Sequence, residues 1–355
     1  MKQISEKLLT AIFLISALSG AVLCGCNNIE EDINDNTEGV AQIKMTVAPS
    51  GSGEIKIELA GDGDATIDWG DGQNDSFNLT PMSDGGALFS HTYASLSNHY
   101  VVSIKGESIT GLDCGSNYLT SLDVSKCTGL TRLDCENNKL TSLDLSNNIL
   151  LNHLNCENNK LTALNVSKSI ILTYLSCKVN NLTSIDLSKN MTLIDLDCRN
   201  NKLTALDLGK NQALTELYCS QNQLTVLNVS ENTALTELYC SYNKLTAIDL
   251  SKNTALTVLW CDNNHLTVLD ISKNTSLIWM DCNNNQLTAL DASQNTSLNE
   301  LSVKGNKLET QALNILFRSL HNNSVNKMIF IINNPGSNDC DESIATAKGW
   351  YVSHV

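Results

Sequence analysis

From position 109 to about 308 the chain repeats every 21 residues without insertion or deletion, and one copy reads LTELYCSYNKLTAIDLSKNTA. Apolar and polar positions alternate in its first half, as in Leu133-Asp134-Cys135. This alternation predicts a short strand with Leu and Cys turned inward and the residue between them outward. The second half, as in the LDLS of 143–146, alternates likewise and predicts extended backbone on an opposite wall, with little room for helix. A unit this short, with about five or six apolar side chains, cannot bury them alone and must stack on its neighbours. At about 4.8 Å per strand, ten stacked copies form a parallel sheet roughly 48 Å long.

Three polar columns run through the repeats. Asparagine occupies 117, 138, 159, 180, 201, 222, 243, 264, 285 and 306, just beyond each strand, where the backbone loses its ladder partners. A buried amide there can donate and accept between successive turns. The cysteines Cys114, Cys135, Cys156, Cys177, Cys198, Cys219, Cys240, Cys261 and Cys282 form a second column, with Val303 in the next slot. Thiols strung along a line cannot converge on one zinc, parallel side chains disfavour disulfides, and no base stands beside them for nucleophilic chemistry. They read as small core hydrophobes. On the other wall Asp recurs at 123, 144, 186, 207, 249, 270 and 291, five times with Lys three residues on, and where Asn228 replaces Asp, Glu231 replaces Lys. That exchange favours charge balance and turn hydrogen bonding over a calcium ladder.

Outside the repeats the pattern changes. Between 41 and 108, alternation in QIKMTVA, EIKIELA, ATIDW and HYVVSIKG, separated by Gly and Asp clusters, predicts a small β-sandwich. After Leu308, TQALNILFRSL has helical spacing, IFII reads as a strand and SIATAKGW as a short helix, so 309–355 form an α/β cap over the last repeat. Cys340 is unpaired in this reading. At the other end, Lys2 and Lys7 precede the apolar run LLTAIFLISALSGAVL and then Cys24-Gly25-Cys26, which predicts an export signal over 1–26. Residues 27–40 are acidic and polar and read as a tether.

Composition narrows the function classes. The 355 residues are 42% hydrophobic, with 3 prolines, 5% aromatics and a formal net charge of −15. Nucleic acid and anionic membranes would be repelled. The six His are scattered and no HExxH, GxSxG or phosphate loop occurs, so the chain reads as no enzyme, with no cofactor and no metal.

Several segments resemble known families. LxxLxCxxNxL at this period is the signature of leucine-rich repeats, and the cysteine-bearing form resembles internalin J and related repeat proteins of Bacteroidetes. That likeness implies a surface adhesin. LCGC resembles a bacterial lipobox, which implies lipidation at Cys26; a plain secretory signal is the alternative. The acidic tether resembles the surface-export signal of Bacteroidetes lipoproteins, which implies an outer-membrane, surface-exposed protein held by its lipid alone. Trp69-Gly70-Asp71-Gly72, His91-Thr92-Tyr93 and Tyr100 resemble a PKD-type immunoglobulin-like domain, which implies a spacer or cap. Asp62, Asp64, Asp68 and Asp71 there could attract calcium, but Asp in turns needs no metal. NNPG and AKGW resemble C-terminal caps of Bacteroidetes repeat proteins. The whole reads as mainly β: a leucine-rich-repeat solenoid with a parallel sheet, preceded by the sandwich and closed by the α/β cap.

Specificity then falls to the outward strand positions, where the copies differ. One outward column carries Tyr218, Tyr239 and Trp260 on consecutive repeats, and the neighbouring one carries Tyr174, Glu216, Glu237 and Trp279. Exposed aromatics in a row mark binding surfaces. The candidate site is Tyr218, Tyr239, Trp260 and Trp279, flanked by Glu216 and Glu237, with Tyr174 beside it. The expected partner of this monomer is an extracellular protein; a glycan ligand, or a structural role at the surface, is the alternative.

Overall fold

The computed structural model describes residues 42–81, 86–323 and 327–354. Cys26, the signal and the tether lie outside the described residues. The chain is mainly β, with one helix longer than four residues among the described residues, and its centre is a parallel-sheet solenoid. Nine three-residue strands, β7 (Arg132–Asp134), β8 (His153–Asn155), β9 (Tyr174–Ser176), β10 (Asp195–Asp197), β11 (Glu216–Tyr218), β12 (Glu237–Tyr239), β13 (Val258–Trp260), β14 (Trp279–Asp281) and β15 (Glu300–Ser302), pair in parallel and in register. Register follows from the repeat length: each residue pairs with its equivalent one copy on, so the middle Leu of every strand, Met280 in β14, faces the core. The rest of each repeat is turns and extended backbone without helix.

The asparagine column bridges the copies as its chemistry requires. Asn222 Nδ2 lies 3.0 Å from Cys198 O and 3.1 Å from Cys219 O, and its Oδ1 accepts from Leu203 N at 3.0 Å. Just before each such Asn stands a residue with positive φ: Ser116, Asn137, Asn158, Val179, Asn200, Gln221, Tyr242, Asn263, Asn284 and Gly305. Asparagine and glycine tolerate this left-handed geometry best, which explains the recurring Asn-Asn pair. The cysteines of the column are buried and free. Cys156 and Cys282 direct their thiols at the Ser176 and Ser302 carbonyls of the following copies, 3.4 and 3.3 Å away. Burial pushes the Cys219 thiol up to about 12.

A further ladder escapes the sequence reading. Asn148, Asn190, Asn211, Asn232, Asn253, Asn274 and Asn295 are fully buried, and each Nδ2 donates to two carbonyls of the preceding copies, as Asn232 does to Leu208 O and Asn211 O. Ser169 fills the same slot and keeps one such bond, to Asn148 O at 3.2 Å. The Asp column is a set of turn caps: Asp144 Oδ1 accepts from Ser146 N and Asp249 Oδ1 from Ser251 N, each at 2.9 Å. Those bonds hold both carboxyls below the usual range. Asn228 makes the same bond to Ser230 N without a charge, and among the described residues no aspartate of this column joins a salt bridge. The expected turn hydrogen bonding dominates the column, and the following lysine adds a smaller favourable field at Asp123, Asp186, Asp249 and Asp270.

Ahead of β7, and reaching into the first repeat, β1 (Ile43–Val47), β2 (Glu54–Asp68), β3 (Asn74–Asn78), β4 (Ala87–Thr92), β5 (Tyr100–Asp113) and β6 (Leu119–Asp123) pair antiparallel. Strand β5 runs straight through position 108: its last residues pair with β2 on one side and with β7 on the other. This seals the first edge of the solenoid sheet, and Asn117 accordingly bonds Lys56 N rather than an earlier repeat. Trp69 and Tyr93 are buried; Tyr93 donates to Trp69 O, His91 stacks on Trp69 and contacts Asp71, and Tyr93 stacks on Tyr100. Asp68 and Asp71 accept turn bonds from Gly70 N and Gln73 N, the role that needs no metal.

At the far end, α1 (Thr310–Ser319) buries Leu313, Leu316 and Phe317. Strands β16 (Lys327–Phe330) and β17 (Trp350–Ser353), with α2 (Ser343–Thr346) between them, extend the parallel sheet. The strand expected at IFII begins two residues earlier, where Lys327 aligns with Trp350.

Candidate functional site

The outward positions of β9 to β14 hold the candidate residues. Because the strands are in register, Tyr218, Tyr239 and Trp260 stand side by side in the third strand position, and Asp195, Glu216, Glu237, Val258, Trp279 and Glu300 follow one another in the first. The Tyr218 and Tyr239 rings stack at 4.7 Å between centroids, and Trp260 meets Tyr239 edge-on at 5.0 Å. Tyr218 OH lies 2.8 Å from Glu216 Oε2 and 3.2 Å from Glu237 Oε2 and donates its one proton between them. Burial, and then these carboxylates, hold Tyr218 protonated; burial and Glu237 push Tyr239 up to about 12. The tyrosines are therefore neutral at any physiological pH.

The structure brings together Glu216, Tyr218, Glu237, Tyr239, Trp260 and Trp279. It does not bring Tyr174 with them. That ring stacks face to face on His153 at 4.2 Å, with Asp195 of β10 between it and Glu216. Pointing outward does not leave the whole third column open. At β7 to β10 the third-position side chains are short and tied down by polar bonds: Asp134 is only 8% exposed, bonded by Asn155 Nδ2 at 3.0 Å, and Asp197 is held by Arg199. Exposure begins where the aromatics begin, and Trp260 and Trp279 reach 47% and 48%.

Two residues that the repeat pattern did not single out complete the surface. The Arg199 guanidinium lies 4.8 Å from the Tyr218 ring centroid while its Nε contacts Asp197. Tyr242, one of the left-handed residues, is exposed and joins Arg199, Tyr218, Tyr239 and Trp260 around a groove of about 520 Å³. On the other side of the strip lies a second groove, of about 340 Å³. The surface is acidic between its rings: burial, with Glu216 and Asp197 nearby, pushes Asp195 up to about 6, and burial pushes Asp281 up to about 6. A flat aromatic ridge between two shallow grooves offers more contact to a surface or an extended chain than to an enclosed small molecule.

The parallel in-register ladder, buried cysteine column and asparagine bridges define a leucine-rich-repeat solenoid. Residues 233–275 match the family model described as Leucine Rich repeats (2 copies). Among solved structures, the functional domain of InlJ from Listeria monocytogenes, which includes a cysteine ladder, is similar at 39% identity and a TM-score of 0.60. The match covers 67% of this chain and 52% of that one, so the chain spans about half the length of that structure. An internalin, inlF, from the same species is similar in fold at 20% identity and a TM-score of 0.55, covering 73% of this chain and 86% of that one. YopM from Yersinia enterocolitica is similar in fold at 24% identity and a TM-score of 0.50, covering 65% and 47%. No curated protein matches the sequence at a significant level.

Proposed function

We propose that the chain is a cell-surface binding or adhesion protein that recognises a protein partner through the strand face of its repeats, and that it is no enzyme. The observation that carries this reading is the run of Tyr218, Tyr239, Trp260 and Trp279 across consecutive strands, with both indoles about half exposed on an otherwise polar and crowded face. Aromatic anchors of this kind, rimmed by charge, dominate protein interfaces. The similarity to the InlJ functional domain supports the same direction. Export and a lipid anchor at Cys26 rest on the sequence pattern of 1–26, and a PKD-like spacer on the Trp69, His91 and Tyr93 motif. The carboxylates interleaved with the rings favour a charged protein surface over a neutral glycan.

Site-specific photo-crosslinking tests this. With benzoylphenylalanine at position 239, the chain should capture discrete protein adducts from an extracellular fraction, whereas the same group at exposed Val226 should not. Equal capture at both positions would remove the assignment of the face.

A further inference from the structure

The aromatic ridge changes sides partway along. Trp260 is the third residue of β13 and Trp279 the first of β14, so the indoles sit diagonally. Between Glu237 and Trp279 in the first column stands Val258, too short to fill the space. The result is the cleft of about 340 Å³, walled by Tyr239, Trp260 and Trp279, carrying the carboxylates Glu237, Asp281 and Glu300, and floored by Val258 and Met280.

Its chemistry selects a cation with an apolar stem. Ring faces attract positive charge, the carboxylates add to that attraction, and the apolar floor accommodates methylenes. The same face already holds one such arrangement from its own chain, with Arg199 over Tyr218 beside Asp197. Among the described residues no Lys or Arg lies over Trp260 or Trp279; Lys304, the cation acting on Asp281, lies over Phe330 instead. The formal net charge of −15 draws a basic segment toward the protein as a whole.

Resting on the protein-binding reading above, we propose that this cleft takes an arginine or lysine side chain from a basic segment of the partner, stacked on Trp260 and Trp279 and paired with the flanking carboxylates.

Panning a random displayed peptide library against the purified chain tests it. Enriched peptides should carry Arg or Lys. Trp279→Ala, the Glu237→Gln and Glu300→Gln pair, and citrulline or norleucine in place of the peptide's basic residue should each weaken binding of the synthetic peptide about tenfold. Trp279→Phe keeps a ring and should retain most of the affinity, and melting of each variant by circular dichroism separates lost binding from lost fold. Peptides that lack a basic residue yet depend on Trp279 would overturn the cation while leaving the protein-binding reading in place. No enrichment, peptides indifferent to Trp260→Ala and Trp279→Ala, or Trp279-dependent binding to neutral glycans alone would overturn both.

Discussion

At the scale of single residues, the repeat assigns one job to each position, and departures from the consensus are where energy can be gained or lost. Val179 holds φ at 52° in a column otherwise filled mostly by asparagine. A β-branched residue is strained there, so Val179→Asn should stabilise the protein by about 0.5–1 kcal/mol in urea unfolding. Asn222→Ala should do the opposite. It takes the acceptor from Leu203 N inside the core and one of two amide donors from Cys198 O and Cys219 O, which keep Asn201 and Asn243, at about 1–3 kcal/mol in the same measurement. The bridging asparagines were legible in the sequence because a buried amide just beyond a strand has only one use. The Asn148-to-Asn295 column was not. It falls among turns, where asparagine needs no special reason, and only the three-dimensional stacking shows each amide reaching back to the copies before it.

At the scale of the strand, packing in register couples neighbouring carboxylates. Asp195 stands beside Glu216 and near Asp197, half-buried, and its carboxyl is raised to about 6. The folded state therefore binds this proton more tightly than the unfolded chain, whose Asp titrates near about 4. Its contribution to stability falls as pH rises from about 4 to about 6 and stays flat above. Asp195→Asn should remove that decline, so the variant's melting temperature should rise relative to the parent between those two pH values. Parallel curves for the two proteins would show that Asp195 does not carry the effect. The strand positions themselves followed from period-2 alternation, but their exposure did not. Whether Asp134 or Trp260 is open depends on the size of the side chain itself and on its bonds to the next copy, such as that of Asn155 to Asp134, which alternation does not encode.

At the scale of the whole molecule, a nearly invariant scaffold carries a variable surface. Stacked leucines, thiols and amides make a solenoid whose ends are closed by β2 against β5 and by α1, β16 and β17. Its fold could be read from the repeat alone, because nothing else buries a 21-residue unit. The candidate surface could be read only as a row of residues. Its two grooves, the placement of Arg199 on Tyr218 and the separation of Tyr174 depend on side-chain directions that the pattern leaves open. The most direct measurement is the dissociation constant of a purified protein partner for the parent chain and for Tyr239→Ala with Trp260→Ala, alongside Val226→Ser as a control on the other wall. The double substitution should weaken binding at least about a hundredfold, as loss of two central aromatic anchors does, with the control unchanged. Equal affinity of the parent and the double variant would contradict the account.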